Sequence, residues 1–307
     1  MGRGTLLLML VGANLLWGSS WVVSKLALEG LTPLQINGWR MVLAGVLALP
    51  WLLPQLRRAS LPPGSWVTLL VLGFMGFVGS KYLNLWGLER TSATNASLLM
   101  SVEPLFTIVL GVLLLGEALT RRRVGAFVLG AAGGWLIIAP WSEGGFALGG
   151  AALGDLIFLS GLLLEAGYSV VGKSLLTRYP PGLITLATVV MSMVFWAPAL
   201  AMDVATTGFA HLGGMAVPVL LYLSIGCTLL AYWAWFRALQ GMDAGLAALT
   251  IFVQPVWGAL LSMLILGETM GWHTLAGGTL VLGALWLAVM PEKGRGAAGG
   301  EQASARK

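Results

Sequence analysis

The sequence predicts an all-α membrane protein of ten transmembrane helices, arranged as two inverted five-helix repeats. Three observations lead there: the charge inventory, the placement of Lys and Arg along the chain, and a motif that occurs twice. Of 307 residues, 58% are hydrophobic and only 9% are charged, whereas a soluble domain carries roughly 25% charged residues. A water-facing surface cannot be assembled from that stock. In a bilayer every backbone polar group must be satisfied internally, which leaves helix bundles or closed barrels. A barrel needs strands of alternating polarity. Here the apolar runs are long and unbroken, so the spans are helical.

A span needs about 20 predominantly apolar residues. Breaks at Pro, Gly and charge clusters delimit first-half spans at 5–28, 34–53, 66–88, 91–115 and 122–140. Second-half spans fall at 151–174, 182–202, 216–238, 243–266 and 272–290. The first span begins beside Arg3, as a signal peptide would. It is longer than an h-region, lacks a small-x-small cleavage site and runs directly into Lys25 and Glu29, so it is kept as a span. The tail 291–307 is small and polar and is expected to be a disordered cytoplasmic segment.

Lys and Arg in the short loops set orientation. One alternate set of loops, with both termini, holds Arg3, Arg57, Arg58, Arg121, Arg122, Arg123, Lys173, Arg178, Arg237, Lys293, Arg295, Arg306 and Lys307. The opposite set holds Lys25 and Arg90. Thirteen against two places both termini in the cytoplasm, makes the span count even and points to the cell inner (plasma) membrane. It also explains the net charge of +5 without nucleic acid. The single cysteine, Cys227, allows no intrachain disulfide. His211 and His273 have no partners at metal-ligand spacing, so neither a metal nor a cofactor is expected.

The run from Glu103-Pro104 to Leu115-Gly116-Glu117 recurs from Gln254-Pro255 to Leu266-Gly267-Glu268, at an offset of 255 − 104 = 151. Holding that offset without a gap, Trp135 falls on Trp286, Pro140 on Pro291, and Leu110, Leu113 and Leu129 on leucines. A weaker match sets Val22-Val23-Ser24-Lys25 on Val170-Val171-Gly172-Lys173, at an offset of 148. The repeat units are therefore 5–140 and 151–290. Five spans per unit is an odd number, so the second copy enters the membrane from the opposite side. Halves related in this way give many secondary transporters their alternating access. The plainer alternative is an old duplication retained only for folding.

Ten spans in two halves, Trp17-Gly18-Ser19-Ser20 in the first span and the doubled Pro…Leu-Gly-Glu pattern resemble the drug/metabolite transporter superfamily. Within it the chain is similar to the EamA-domain branch, and to YddG-type amino-acid exporters, over about residues 5–290. The resemblance implies a basket-like ten-helix fold around a central cavity and export of metabolites such as amino acids, while the deep tryptophans favour aromatic or other apolar ones. One departure stands out: Glu103 precedes the first proline where Gln254 precedes the second.

Ionisable groups inside a span cost about 2.5–3.5 kcal/mol on insertion scales, so each asks for a reason. Arg40, Lys81, Glu103 and Glu165 are the four. Two of each sign suggest internal pairing. Alternatively, an ammonium and a carboxylate meet the two ends of a zwitterionic amino acid. Arg40, near a span end, reads as pairing or snorkelling; Glu165, with Tyr168 one turn along, reads as functional. Lys81 and Asn84 share a face of the third span, with Tyr82 and Trp86 on the neighbouring face. Asn95, Met100 and Ser101 precede Glu103 in the fourth span, and Asn14 lies one turn from Trp17 in the first. Pro104 and Pro255 each remove a helix hydrogen bond, and interrupted helices at matching positions mark a transporter's site and gate. The expected substrate-binding set is thus Asn14, Trp17, Lys81, Tyr82, Asn84, Met100, Ser101, Glu103, Glu165, Tyr168 and Gln254.

Of the 14 tryptophans, Trp51, Trp66, Trp141 and Trp272 read as interface anchors, while Trp17, Trp86, Trp235 and Trp257 lie deeper. Gly116-Glu117 and Gly267-Glu268 read as structural turns, and Arg121 to Arg123 as a topology determinant. No GxxxxGK[ST] loop is present, so transport is facilitated or gradient-driven, with Glu103 and Glu165 as candidate proton carriers. The expected partners are a small-molecule substrate and the lipid bilayer, and a monomer suffices. An exporter of organic cations or drugs is the alternative cargo. A membrane-embedded enzyme acting on lipid-linked substrates is the alternative of another class, and it lacks the clustered nucleophile, His or metal set it would need.

Overall fold

The computed structural model describes residues 2–58, 62–116, 121–138, 150–176, 179–209, 212–239, 250 and 253–289, and among these no strand occurs. The chain opens with α1 (Arg3–Ala27) and α2 (Pro33–Arg58). α3 (Pro63–Phe74) passes through a π-helical segment, Met75–Gly79, into α4 (Ser80–Arg90). α5 (Ala93–Leu99) passes through a 3-10 turn, Met100–Val102, into α6 (Glu103–Leu115), and α7 (Arg121–Ile138) follows. The second half holds α8 (Ala151–Leu176), α9 (Pro181–Thr207) and α10 (Ala216–Leu221). α10 leads through a π-helical segment, Tyr222–Leu230, into α11 (Ala231–Leu239); α12 (Val253–Ile265) and α13 (Trp272–Val289) close the described chain.

Among the described residues, seven stretches are long and apolar enough to cross a bilayer: Gly4–Ala27, Pro33–Arg58, Gly64–Arg90, Ala93–Leu114, Ala151–Val171, Gly182–Thr207 and Ala216–Trp235. Val124–Ile137 and Val253–Ile265 are shorter apolar helices. The protein is a multi-pass, all-α membrane protein. Glu117, Pro140, Trp141, Arg178, His211 and the tail 291–307 lie outside the described residues.

Local chemistry explains the element ends. α2 starts with a reciprocal capping box: Gln35 N–H donates to Thr32 Oγ1 at 3.3 Å, and Thr32 N–H donates to Gln35 Oε1 at 3.0 Å. α2 runs five residues past the expected 53 because Pro50 and Pro54 are accommodated inside it. Arg57 and Arg58 then sit in its last turn, at the negative end of the helix dipole. Gly116 and Gly267 take φ of 65° and 64°, a left-handed turn that side chains resist. The doubled Leu-Gly-Glu motif is thus a doubled helix stop.

Beyond the second stop, the Glu268 carboxylate reaches α5. It accepts from Ala93 N–H at 2.9 Å, Thr94 N–H at 2.8 Å and the Thr94 hydroxyl at 2.6 Å. These are orphan donors of a helix N-terminus, where an anion is favoured. Glu268→Ala is therefore expected to cost about 1–2 kcal/mol, read as a lowered thermal midpoint in detergent, with Glu268→Gln recovering part of it. A midpoint unchanged by both substitutions would remove Glu268 as a cap.

Small residues set the helix spacing, as in other membrane bundles. A Cβ on Gly87 of α4 would lie 2.6 Å from Gly154 O of α8, and one on Gly133 of α7 would lie 2.6 Å from Gly277 O of α13. A Cβ on Gly18 of α1 would lie 2.7 Å from Gln254 O of α12. The most extensive pairings are α7 with α13, α2 with α9, α4 with α8, α1 with α12, and α6 with α8.

Candidate functional site

Lys81 lies nine residues before the end of α4 and Glu103 ten after the start of α5. At about 1.5 Å per residue both sit near mid-depth of a hydrocarbon core of about 30 Å. The close approach of α4 and α8 at Gly87 and Gly154 brings Lys81 Nζ to 2.5 Å from Glu165 Oε1. The Asn84 amide donates to Glu165 Oε2 at 3.4 Å, and the Asn37 amide of α2 donates to Lys81 O at 2.8 Å. Glu103, at the first turn of α6, lies within electrostatic range of both members of the ion pair. The 3-10 turn at 100–102 is what the span does ahead of Pro104, which enters as a first-turn proline of a new helix. Three of the four intramembrane ionisable groups thus converge.

The fourth is Arg40. It neither snorkels nor pairs: its residue exposure is 9%, and among the described residues no carboxylate lies within ion-pair distance. Its Nε donates to Thr228 Oγ1 at 2.9 Å. Tyr232, unnoticed in the sequence, has its hydroxyl within electrostatic range of Glu165, Tyr168, Arg40 and Glu103.

Rings surround this polar cluster. Tyr232 meets Trp17 edge-on at 5.1 Å between centroids and Phe77 at 5.8 Å; Phe77 meets Tyr168 at 5.6 Å, and Trp17 meets Trp235 at 5.6 Å. The two π-helical segments hold two of these rings or their neighbours. The Trp196 indole donates to Phe77 O, and the Trp17 indole donates to Cys227 O, both at 2.9 Å. Tyr168 packs on the bare Cα of Gly76, where a Cβ would lie 2.7 Å from its ring. Wide π turns recur at functional sites.

The remaining expected residues lie elsewhere. Asn14 and Gln254 clasp each other: the Gln254 amide donates to Asn14 Oδ1 at 2.6 Å, and Asn14 donates to Thr250 Oγ1 at 2.9 Å. Both are buried between α1 and α12, and Pro255 is buried beside them. Met100 takes the Trp21 indole N–H on its sulfur. Tyr82 is 40% exposed and lies beside Trp86 and Trp196, turned from the ion pair. Trp51, Trp66 and Trp272 are exposed, as interface anchors are. Ser101 Oγ is buried with no partner among the described residues, as are Ser97 Oγ, Asn37 Oδ1 and Asn84 Oδ1. Such orphans cost about 1–3 kcal/mol each, and three of them flank the charged cluster's own helices.

The sequence profile of the EamA-like transporter family matches the chain twice, over residues 4–139 and 152–290. The chain belongs to the EamA-like transporter family. Among its relatives, an uncharacterized transporter of Archaeoglobus fulgidus is 30% identical over 91% of this chain and 96% of that one. The S-adenosylmethionine/S-adenosylhomocysteine transporter of Chlamydia trachomatis is 27% identical over 83% of this chain and 80% of that one. A solved crystal structure, 19% identical, matches 94% of this EamA-like chain and 97% of its own with a TM-score of 0.63, a likeness of fold.

Proposed function

We propose that this EamA-like protein moves small zwitterionic metabolites, amino acids first among them, out of the cell by alternating access of two inverted five-helix halves. The observation that carries the reading is the mid-membrane cluster of Arg40, Lys81, Glu103 and Glu165 beside the rings of Trp17, Tyr168 and Tyr232. Charges of both signs next to an aromatic wall suit a substrate with an ammonium, a carboxylate and an apolar side chain.

Packing supports the inversion. The α helices after the two π segments start at Ser80 and Ala231, and 231 − 80 = 151 matches the motif offset. That sets Lys81 opposite Tyr232. The offset of 148 sets Trp17 opposite Glu165. The Lys81–Glu165 ion pair and the Trp17–Tyr232 ring pair are then equivalent places in the two halves. On this reading the duplication kept the geometry and divided the chemistry, charged in one copy and aromatic in the other. The excess of Lys and Arg in one alternate set of loops supports cytoplasmic termini for this arrangement.

A second cargo follows from the Chlamydia relative, named for S-adenosylmethionine. That compound is itself an amino acid, and its sulfonium and adenine suit aromatic faces. Efflux from proteoliposomes loaded separately with leucine, phenylalanine, S-adenosylmethionine and a quaternary amine tests the proposal. Saturable flux of an amino acid or S-adenosylmethionine is expected. Flux of the amine alone would replace the cargo with organic cations, and no flux of any would overturn the reading.

A further inference from the structure

We infer that Arg40 is the receptor for a substrate carboxylate, gripping it end-on through its two terminal nitrogens. The inference rests on the transport reading above and names the group that the site recognises.

At mid-span the described residues include two cationic and two carboxylic side chains, Arg40, Lys81, Glu103 and Glu165, and these form one ion pair, Lys81 with Glu165. That pair is closed and leaves Arg40 and Glu103, which do not pair with each other, so the cation that remains to be matched is a guanidinium. Arg40 is nine-tenths buried, at 9% exposure, seven residues into α2 from Pro33. A permanent charge at that place needs an anionic complement. Its one donated hydrogen bond among the described residues leaves from Nε, so the fork of Nη1 and Nη2 is the part not committed to Thr228. That fork matches a carboxylate in a planar, bidentate geometry which a lysine cannot copy.

The orientation of the guanidinium is itself built. Thr228 lies in the second π-helical segment and donates its hydroxyl proton to Leu223 O at 2.9 Å, five residues back. With its proton spent there, Thr228 Oγ1 turns a lone pair to Arg40 Nε at 2.9 Å. The guanidinium plane is thereby fixed by the wide turn, and Thr228 acts as a positioning residue. Glu103, which forms no ion pair among the described residues, lies like Arg40 within electrostatic range of the Tyr232 hydroxyl. With a carboxylate on Arg40, Glu103 is then the carboxylate of the cluster left for a substrate ammonium.

Thermal stabilisation of the full chain in detergent tests this without requiring flux. The probes are L-phenylalanine, 3-phenylpropanoate, which keeps the carboxylate, and L-phenylalaninamide, which keeps the ammonium. The wild type is expected to be stabilised by the first two and not by the amide. Arg40→Gln should abolish that stabilisation, Arg40→Lys should weaken apparent affinity at least tenfold, and Thr228→Val should weaken it severalfold with rescue by Thr228→Ser. If Arg40→Gln fails to fold, Arg40→Lys against the wild type carries the comparison. Equal response to amide and acid, no response to either acid, or wild-type affinity in the Arg40 variants would each overturn the inference. Carboxylate binding that needs Arg40 in a protein without flux would instead sink the transport reading and leave this site standing.

Discussion

Replacing Lys81 or Glu165 singly by Met is expected to destabilise the protein by about 3 kcal/mol, because the partner is left as an uncompensated buried charge. The two side chains are 11% and 18% exposed, so solvent screens little of the loss. The double variant Lys81→Met/Glu165→Met should recover most of that stability, since a well-packed apolar pair often matches an ion pair in a dry interior. Flux should stay at least a hundredfold down in all three. Thermal midpoints in detergent and efflux from proteoliposomes, taken on the same preparations, give the two halves of the cycle. Recovery of flux along with stability in the double variant would reduce the ion pair to a strut between α4 and α8.

The second large effect belongs to Gly87. A Cβ there would lie 2.6 Å from Gly154 O and 2.7 Å from Phe158 N. Both are backbone atoms, with no flexible end to swing aside, so α4 and α8 must part. Overpacking of this kind costs about 1–3 kcal/mol. Gly87 is six residues along α4 from Lys81, so the separation also stretches the Lys81–Glu165 contact. Gly87→Ala is expected to lower the thermal midpoint and to cut flux at least tenfold. Gly64→Ala, where nothing lies within 4 Å of the added carbon, should change neither. Wild-type flux in Gly87→Ala would show that the helix spacing does not hold the site.

The contrast between those two glycines shows what a sequence of this kind discloses. Helix positions are legible because twenty apolar residues in a row have one use. The turn at Gly116 and Gly267 is legible because only glycine takes φ near +65° without strain. The break before Pro104 is legible because proline cannot donate. The π segments at Met75–Gly79 and Tyr222–Leu230 carry no such marker. No proline forces them, and what they do is accept indole hydrogen bonds from Trp196 and Trp17, contacts across the bundle that no local pattern encodes. Arg40 misled for a related reason. Distance from a span end suggested a side chain able to reach the surface, whereas Thr228 from another helix holds it inward. Tyr232 was invisible among other aromatics, since its value lies in the four groups within electrostatic range of its hydroxyl. The Asn14–Gln254 clasp joins residues 240 apart, and two polar side chains in separate spans do not announce that they meet.

The turn between α4 and α5 is held from three directions. Lys25 of α1 donates to Leu88 O at 2.6 Å and Thr91 O at 2.5 Å, and Asp155 of α8 accepts from the Thr91 hydroxyl and from the Asn95 amide. The third hold is the Glu268 carboxylate on the α5 amides. Because the three anchors sit on different parts of the chain, the turn cannot be freed by moving any one of them alone. Departure of this turn is a conjunction, requiring α1, α8 and the segment before α13 to let go together. A turn tied to three separate parts of the bundle works as a joint, keeping α1, α8 and the segment before α13 in register with one another.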